Sequence, residues 1–319
     1  MILSGIIKNA FFRINQTFLY FYYMIAKTLP IYNIENFKYL GKESDFYTNT
    51  IRAHFKLHEF IFTPHKHDFF FVVICSKGTG THTIDFIDYA VKPGSVFALS
   101  PGQTHSWALS DDADGYVLFH TGSFFNLHFP SKKVRDYPFF CSMHNSPLIL
   151  LKEKTSKNVK RIFSEILDEY RHDYLFKFQR IAGLLDLLYM DLSRSYIPAT
   201  TIDKKNHNFL IKIGKLEDLI DANFKKIKSA SQYAKMMFMT EKHLNRICKE
   251  YLNKTTSDLI MDRLMLEAKR LLVHSSLSVS EIADELGYLD ISYFSRLFKK
   301  KCGKTPLEFI KSFSSGIIR

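Results

Sequence analysis

The feature that most narrows what this chain can fold into is a self-match at an offset of 50 residues near its C-terminus. His243-Leu244-Asn245-Arg246-Ile247-Cys248-Lys249 aligns with Tyr293-Phe294-Ser295-Arg296-Leu297-Phe298-Lys299, Lys254-Thr255 with Lys304-Thr305, and Ile260 with Ile310. Such a repeat means that one supersecondary unit is used twice. In each copy a short helical stretch leads through a tight turn to a second helix. Ser231–Met237 passes through Phe238-Met239 to Thr240, which caps a predicted helix over 241–251; Ser280–Leu286 passes through Gly287 and Tyr288 to Asp290, which caps one over 291–301. Thr and Asp there offer side-chain oxygens to first-turn N–H groups that have no partner inside the helix, and Ser278 or Ser280 can do the same for the shorter helix. Ala234 and Ala283 are small where two crossing helices must approach, and Gly287 accepts a positive φ at its turn. A helix pair of this kind is a helix-turn-helix, whose second helix enters a major groove.

In both second helices the apolar residues repeat on one face and leave a polar set pointing out. Leu244, Ile247 and Tyr251 are expected to face inward, with Lys242, Asn245, Arg246 and Lys249 outward. The matching outward set is Ser292, Ser295, Arg296, Lys299 and Lys300. Arg can bond two guanine acceptors at once and Asn can do the same for adenine, so Arg246, Arg296 and Asn245 are the base-reading candidates. Lys249, Lys299, Lys300, Lys301 and Lys304 are assigned to phosphates. Charge is distributed accordingly: residues 204–319 hold 22 Lys plus Arg against 13 Asp plus Glu, a net +9 of the chain's +12. A basic region of this kind suits a polyanionic partner, because neutralised phosphates release condensed counterions. Ser257–His274, rich in Leu, Ile and Ala, reads as one continuous helix of about 27 Å at ~1.5 Å per residue. It is long enough to hold two reading helices in successive major grooves, about 34 Å apart.

The first half has a different rhythm. Arg52–Phe62, Phe69–Cys75, Gly80–Phe86, Ser95–Leu99 and Gly115–Thr121 read as short strands separated by Gly- and Pro-containing turns, a pattern of sandwiches and barrels. Ile31-Tyr32-Asn33-Ile34 alternates like a first strand. Beyond Pro147, apolar residues recur at three and four, giving two amphipathic helices, Lys152–Tyr170 and Phe178–Asp191, before a polar stretch at 198–207. The expected organisation is α+β with two domains: an N-terminal extension over 1–30, a barrel domain with trailing helices over 31–197, a linker over 198–207, and an all-α domain over 208–319. The apolar stretch in 1–23 is too short to span a bilayer and is followed by no small-residue cleavage site; Met1 and Met24 are both candidate starts. Cys75, Cys141, Cys248 and Cys302 are 66, 107 and 54 residues apart, which fits buried reduced thiols in a cytoplasmic protein better than a metal knuckle or a disulfide framework.

The run Ser278-Val279-Ser280-Glu281-Ile282-Ala283-Asp284-Glu285-Leu286-Gly287-Tyr288, continuing through Asp290–Lys300 to Gly303-Lys304-Thr305-Pro306, resembles the signature of AraC/XylS-type bacterial transcription regulators. Arg263–Leu272 resembles the linker helix of that family, and the likeness covers about 110 residues. It implies DNA contact through Lys242, Asn245, Arg246, Ser292, Ser295 and Arg296, a homodimer held by the two middle helices, a small-molecule effector, and RNA polymerase as a partner of an activator. Asn253 stands where the first copy usually has Gly, and Cys302 replaces a commoner aromatic.

His65-Lys66-His67, the glycines Gly78 and Gly80, and Val91–His105 resemble a cupin barrel. Metal-binding cupins converge a His-x-His pair, a carboxylate and a later His on one ion. His65, His67 and His105 match three of these, and Asp68-Phe69-Phe70-Phe71-Val72 offers no carboxylate at the expected place, so no metal and no cofactor is expected and the chain is not read as an enzyme. His65, His67, His105 and Trp107 are expected instead to line an effector pocket. The expected function is an effector-responsive regulator of transcription on double-stranded DNA, without a membrane partner. An effector-independent repressor and a cupin enzyme with a DNA-binding tail are the alternatives.

Overall fold

The computed structural model describes residues 29–37, 45–58, 63–196 and 204–314. Phe70–Lys77 (β4) explains the layering of the N-terminal half. Phe71, Val73 and Cys75 enter one buried cluster while Val72 and Ile74 enter another, so alternate residues of one strand serve two cores. Its five consecutive buried residues read as an unbroken apolar run for that reason.

The other strands are Ile31–Tyr32 (β1), Phe46–Thr50 (β2), His65–His67 (β3), Gly80–Ile84 (β5), Ile87–Val91 (β6), Ser95–Leu99 (β7), Thr104–Leu109 (β8), Asp114–His120 (β9) and Leu148–Leu150 (β10). They form two five-stranded sheets, in the orders β1-β3-β8-β5-β6 and β10-β7-β4-β9-β2. All pairs are antiparallel except β1 with β3. Between the sheets lies an aromatic-rich core containing Phe37, Tyr47, Phe69, Phe71, Phe97, Trp107 and Phe119. On the outer face of the second sheet, Val72, Ile74 and Leu118 meet Glu153–Arg171 (α3) and Lys177–Tyr196 (α4) through Ile162, Phe163, Ile166, Leu185 and Leu188. The apolar faces of the two middle helices are thus used on the sheet and on each other.

Three sequence expectations are corrected here. Arg52–Phe62 is not a strand: Ile51–Leu57 is a helix (α1), and 59–62 lie outside the described residues. Thr50 caps it by accepting from the Ala53 N–H at 3.3 Å, and Ile51, His54 and His58 are buried at helical spacing, a period overlooked beneath the β-prone composition. The strand at Ile31 ends at Tyr32 and gives way to a 3-10 turn over Ile34–Phe37, with the Asn33 N–H donating to Asn36 Oδ1. The strands at Phe46, His65, Ile87, Thr104 and Leu148 fall outside the runs expected from the sequence. A short helix at Gly122–His128 (α2) follows β9. The extension over 1–28 lies outside the described residues.

The C-terminal helices are Lys204–Asn223 (α5), Ala230–Met236 (α6), Glu241–Leu252 (α7), Thr256–His274 (α8), Val279–Glu285 (α9), Ile291–Cys302 (α10) and Pro306–Ser314 (α11). The first of these begins inside the stretch expected as linker, of which 198–203 lie outside the described residues. Contacts gather the described chain into two compact units: Ile31–Leu219 with Ala234–Thr255, and Ile220–Tyr233 with the residues from Thr256 on. Within the second, α8, α9, α10 and α11 pack around Leu264, Ala268, Leu272, Ile282, Phe294 and Phe298. Among the described residues no helix is long and apolar enough to cross a membrane. Cys75, Cys141 and Cys248 are buried and Cys302 is half-buried, all as free thiols.

Candidate nucleic-acid interface and buried histidine cluster

Both second helices start where their caps direct. Thr240 accepts from the His243 N–H at 3.2 Å, and Asp290 accepts from Ser292 and Tyr293 at 2.7 and 3.1 Å. Ser278, not Ser280, caps α9 and forms a reciprocal capping box with Glu281. The turns match in hydrogen bonding: the Met239 N–H donates to the Ala234 carbonyl at 3.0 Å, and the Tyr288 N–H to Ala283 at 2.9 Å. Ala234 and Ala283 are buried.

With these ends set, Leu244, Ile247 and Cys248 on α7, and Phe294 and Phe298 on α10, are buried. Tyr251 is half-buried rather than fully inward. Lys242, Arg246, Lys249, Ser292, Arg296, Lys299, Lys300, Lys301 and Lys304 are exposed, while Asn245 and Ser295 are half-exposed. The Arg246 guanidinium lies 3.3 Å from His243 Nδ1 and 3.9 Å from Glu250. Lys301 pairs with Asp258 at 3.3 Å, so part of its charge is already engaged.

The four residues expected to line a pocket come together between the sheets. Strand alternation puts His65 and His67 on one face, and β3–β8 register sets His65 opposite His105. Trp107, two residues on, shares the face of His105 and pairs with His82 on β5. All of these side chains are buried. His105 Nε2 lies 3.4 Å from His67 Nε2, and its Nδ1 lies 2.8 Å from His82 Nε2. His65 Nδ1 donates to the Thr63 carbonyl at 2.7 Å, leaving a buried Nε2 with no hydrogen-bond partner among the described residues. Burial lowers His65 to about 4 and holds His67, His82 and His105 well below the ordinary imidazole value, so all four are neutral at pH 7. The void lined by His54, Phe55, His65, His67, Phe71, His105, Trp107 and Val117 is about 10 Å³, room for one water-sized occupant.

His82 and His54 escaped the sequence reading. His82 carried a signal, since it sits between Thr81 and Thr83 two places from inward Ile84. His54 was hidden by the helix read as a strand.

Comparison with known proteins adds two matches along the chain. Residues 47–173 match the model of an AraC-like ligand binding domain, and residues 233–312 match a helix-turn-helix domain. The HTH-type transcriptional activators RhaR of Escherichia coli and of Shigella flexneri are each 22% identical over 249 residues, covering 78% of this chain and 87% of theirs. Among solved structures, fatty-acid-bound ToxT of Vibrio cholerae is similar at 15% identity and a TM-score of 0.40, covering 85% of this chain and 97% of that one. With both halves matched in this order, and with RhaR-type activators spanning them together, the chain belongs to the AraC/XylS-type transcription regulators.

Proposed function

We propose that this chain is an effector-responsive transcriptional activator that reads double-stranded DNA with α7 and α10 in successive major grooves. The observation that carries this reading is the pair of capped, like-sequenced helices that bury one face and expose Arg246 and Arg296 at equivalent places on the other. Lys242, Asn245, Arg246, Ser292, Ser295 and Arg296 read bases; Lys249, Lys299, Lys300 and Lys304 hold phosphates, with Lys301 joining them when it leaves Asp258. The spacer of this reading is the 19-residue α8, whose length suits two helices one duplex turn apart.

The cupin-like domain over 31–197 senses the effector, the stretch 198–207 joins it to the DNA-binding domain over 208–319, and the protein works in the cytoplasm as a homodimer that engages RNA polymerase. Since the inner faces of α3 and α4 are occupied, the two-fold contact falls to apolar residues left outside, Leu175, Phe176 and Leu187, which are 83%, 65% and 52% exposed. Selection of bound fragments from random duplex DNA by the full-length protein tests the reading. It should recover two short motifs about one helical turn apart on one DNA face, repeated when the dimer binds. Recovery of random sequence would overturn it.

A further inference from the structure

We propose that the start of α10 is an apolar reading tip that recognises the 5-methyl groups of thymines in its major groove, with Tyr293 and Ile291 as the principal contacts and Leu289 at their edge. This role rests on the DNA-binding reading above and adds to it the class of base that the second copy selects.

The two copies differ where their second helices begin. At the 50-residue offset Glu241-Lys242-His243 opens α7 and Ile291-Ser292-Tyr293 opens α10, so two charged side chains and an imidazole in one copy give way to an alkyl group, a hydroxyl and a phenol in the other. Leu289 adds another apolar side chain just before the Asp290 cap. Leu289, Ile291 and Tyr293 are all exposed, three large side chains within five residues. Single exposed apolar residues are ordinary, whereas a cluster marks a contact surface.

Position says what the surface meets. α10 buries Phe294 and Phe298, and at about 100° per residue Ser292 and Tyr293 fall on the opposite side together with Arg296. The first residues of a recognition helix are those that reach base edges, and the apolar group that a major groove presents to them is the thymine methyl. Lys299, Lys300 and Lys301 lie in the last turn of α10, so attraction to phosphates and contact with bases fall to opposite ends of one helix. An apolar tip continuous with Ser292, Ser295 and Arg296 and followed by a basic turn suits a nucleic acid better than a protein surface.

The tip is also held in place before any contact. Asp290 accepts from the N–H groups of both Ser292 and Tyr293. The Tyr293 ring lies 5.9 Å from that of Tyr288, which is buried, sits 5.6 Å from the Phe294 ring and is covered by the Lys228 ammonium at 4.7 Å. Lys228 in turn donates to the Lys225 and Gly287 carbonyls at 3.0 and 3.1 Å. A side chain braced in this way loses little freedom on binding.

The test uses the full-length protein and the duplex that it selects from random DNA. In the half-site whose base preference changes in Arg296→Ala, each thymine is replaced in turn by deoxyuracil, which removes the methyl and keeps the pairing and the groove acceptor. At one or two of these positions wild-type protein should bind about 3–10-fold more weakly, the size expected for one methyl returned to water, and the same exchange in the half-site read by Arg246 should change binding less than about twofold. Tyr293→Ala and Ile291→Ala should weaken binding to the thymine duplex and abolish the difference between thymine and deoxyuracil, and Leu289→Ala should reduce it. The deoxyuracil series on unaltered protein decides alone if either variant fails to fold. A defined site whose α10 half lacks thymine, or in which no exchange for deoxyuracil matters, overturns the proposal and leaves the DNA-binding reading standing; selection of random sequence overturns both. Tyr293→Ala and Ile291→Ala that bind DNA as wild type does and lose only activation of transcription would assign the tip to a protein partner and equally overturn the proposal.

Discussion

In the first helix-turn-helix the left-handed turn position is held by Phe238 at φ 56°, and in the second by Gly287 at φ 75°. The same contrast recurs at the ends of the second helices, with Asn253 at φ 54° and Gly303 at φ 78°. The Asn253 N–H still donates to Lys249 at 3.0 Å and the Gly303 N–H to Lys299 at 2.9 Å. One backbone path is therefore demanded in both copies, and only the second uses the residue for which it carries no steric cost. Their surroundings explain part of this. Phe238 is 93% exposed and its side chain meets little. A Cβ on Gly287 would lie 2.4 Å from the Lys225 carbonyl oxygen, beside the Lys228 ammonium that bonds the Lys225 and Gly287 carbonyls and covers Tyr288. The second turn is also one residue longer, with the fully exposed Leu289 inserted before its cap.

The reading faces differ in charge as well. Between its caps α7 carries three basic and two acidic residues, whereas α10 carries four basic and none acidic. Arg246 has Glu250 within 3.9 Å, and the corresponding neighbour of Arg296 is Lys300. The first helix is thus suited to selective contact and the second to stronger, salt-sensitive attraction.

The largest expected effect breaks the symmetry at the turns. Gly287→Val should destabilise the protein by about 2–4 kcal/mol, combining a positive φ with a backbone clash, whereas Phe238→Gly should be neutral or stabilising by up to about 1 kcal/mol; thermal unfolding of both variants measures the contrast, and equal losses would refute it. Next, Arg246→Ala and Arg296→Ala should each weaken the preferred DNA site by about 1–3 kcal/mol and relax base choice locally. In a salt titration, Lys299→Ala should lower the slope by about one ion without altering site preference; competition binding against random duplex separates the two behaviours. The caps come third. Asp290→Ala should cost about 1–2 kcal/mol and Thr240→Ala about 0.5–1 kcal/mol, because Asp290 satisfies two N–H groups and Thr240 one; chemical denaturation tests that order. Smallest is Asn253→Gly, expected to raise stability by a few tenths of a kcal/mol up to about 1 kcal/mol as it removes the residual left-handed strain.

Legibility in the sequence followed the range of the forces involved. The caps at Thr240 and Asp290, the inward Leu244 and Phe294, the outward arginines and the helical run of α8 were all readable, because helix ends and faces are set by neighbours within a few residues. The left-handed Phe238 was only half legible, since the absence of glycine was visible but not where the strain falls. In the first half, His65–His67 offers too few residues to register as a strand, Thr104–Leu109 is interrupted by His, Ser and Ala where its neighbours carry β-branched and aromatic runs, and Ile51–Leu57 reads as strand because β-branched and aromatic content outweighs a two-turn helical period.

The sequence alone determined that two helix-turn-helix copies exist, which residues end their helices and which side chains point away from their cores, because these depend on local hydrogen bonding and on the 3.6-residue period. Only the tertiary structure decided that His65, His67 and His105 from β3 and β8 line one space of about 10 Å³, with His82 of β5 held against His105. Their meeting depends on strand order and register, which bring together residues up to 40 positions apart and are fixed by how two sheets share one core.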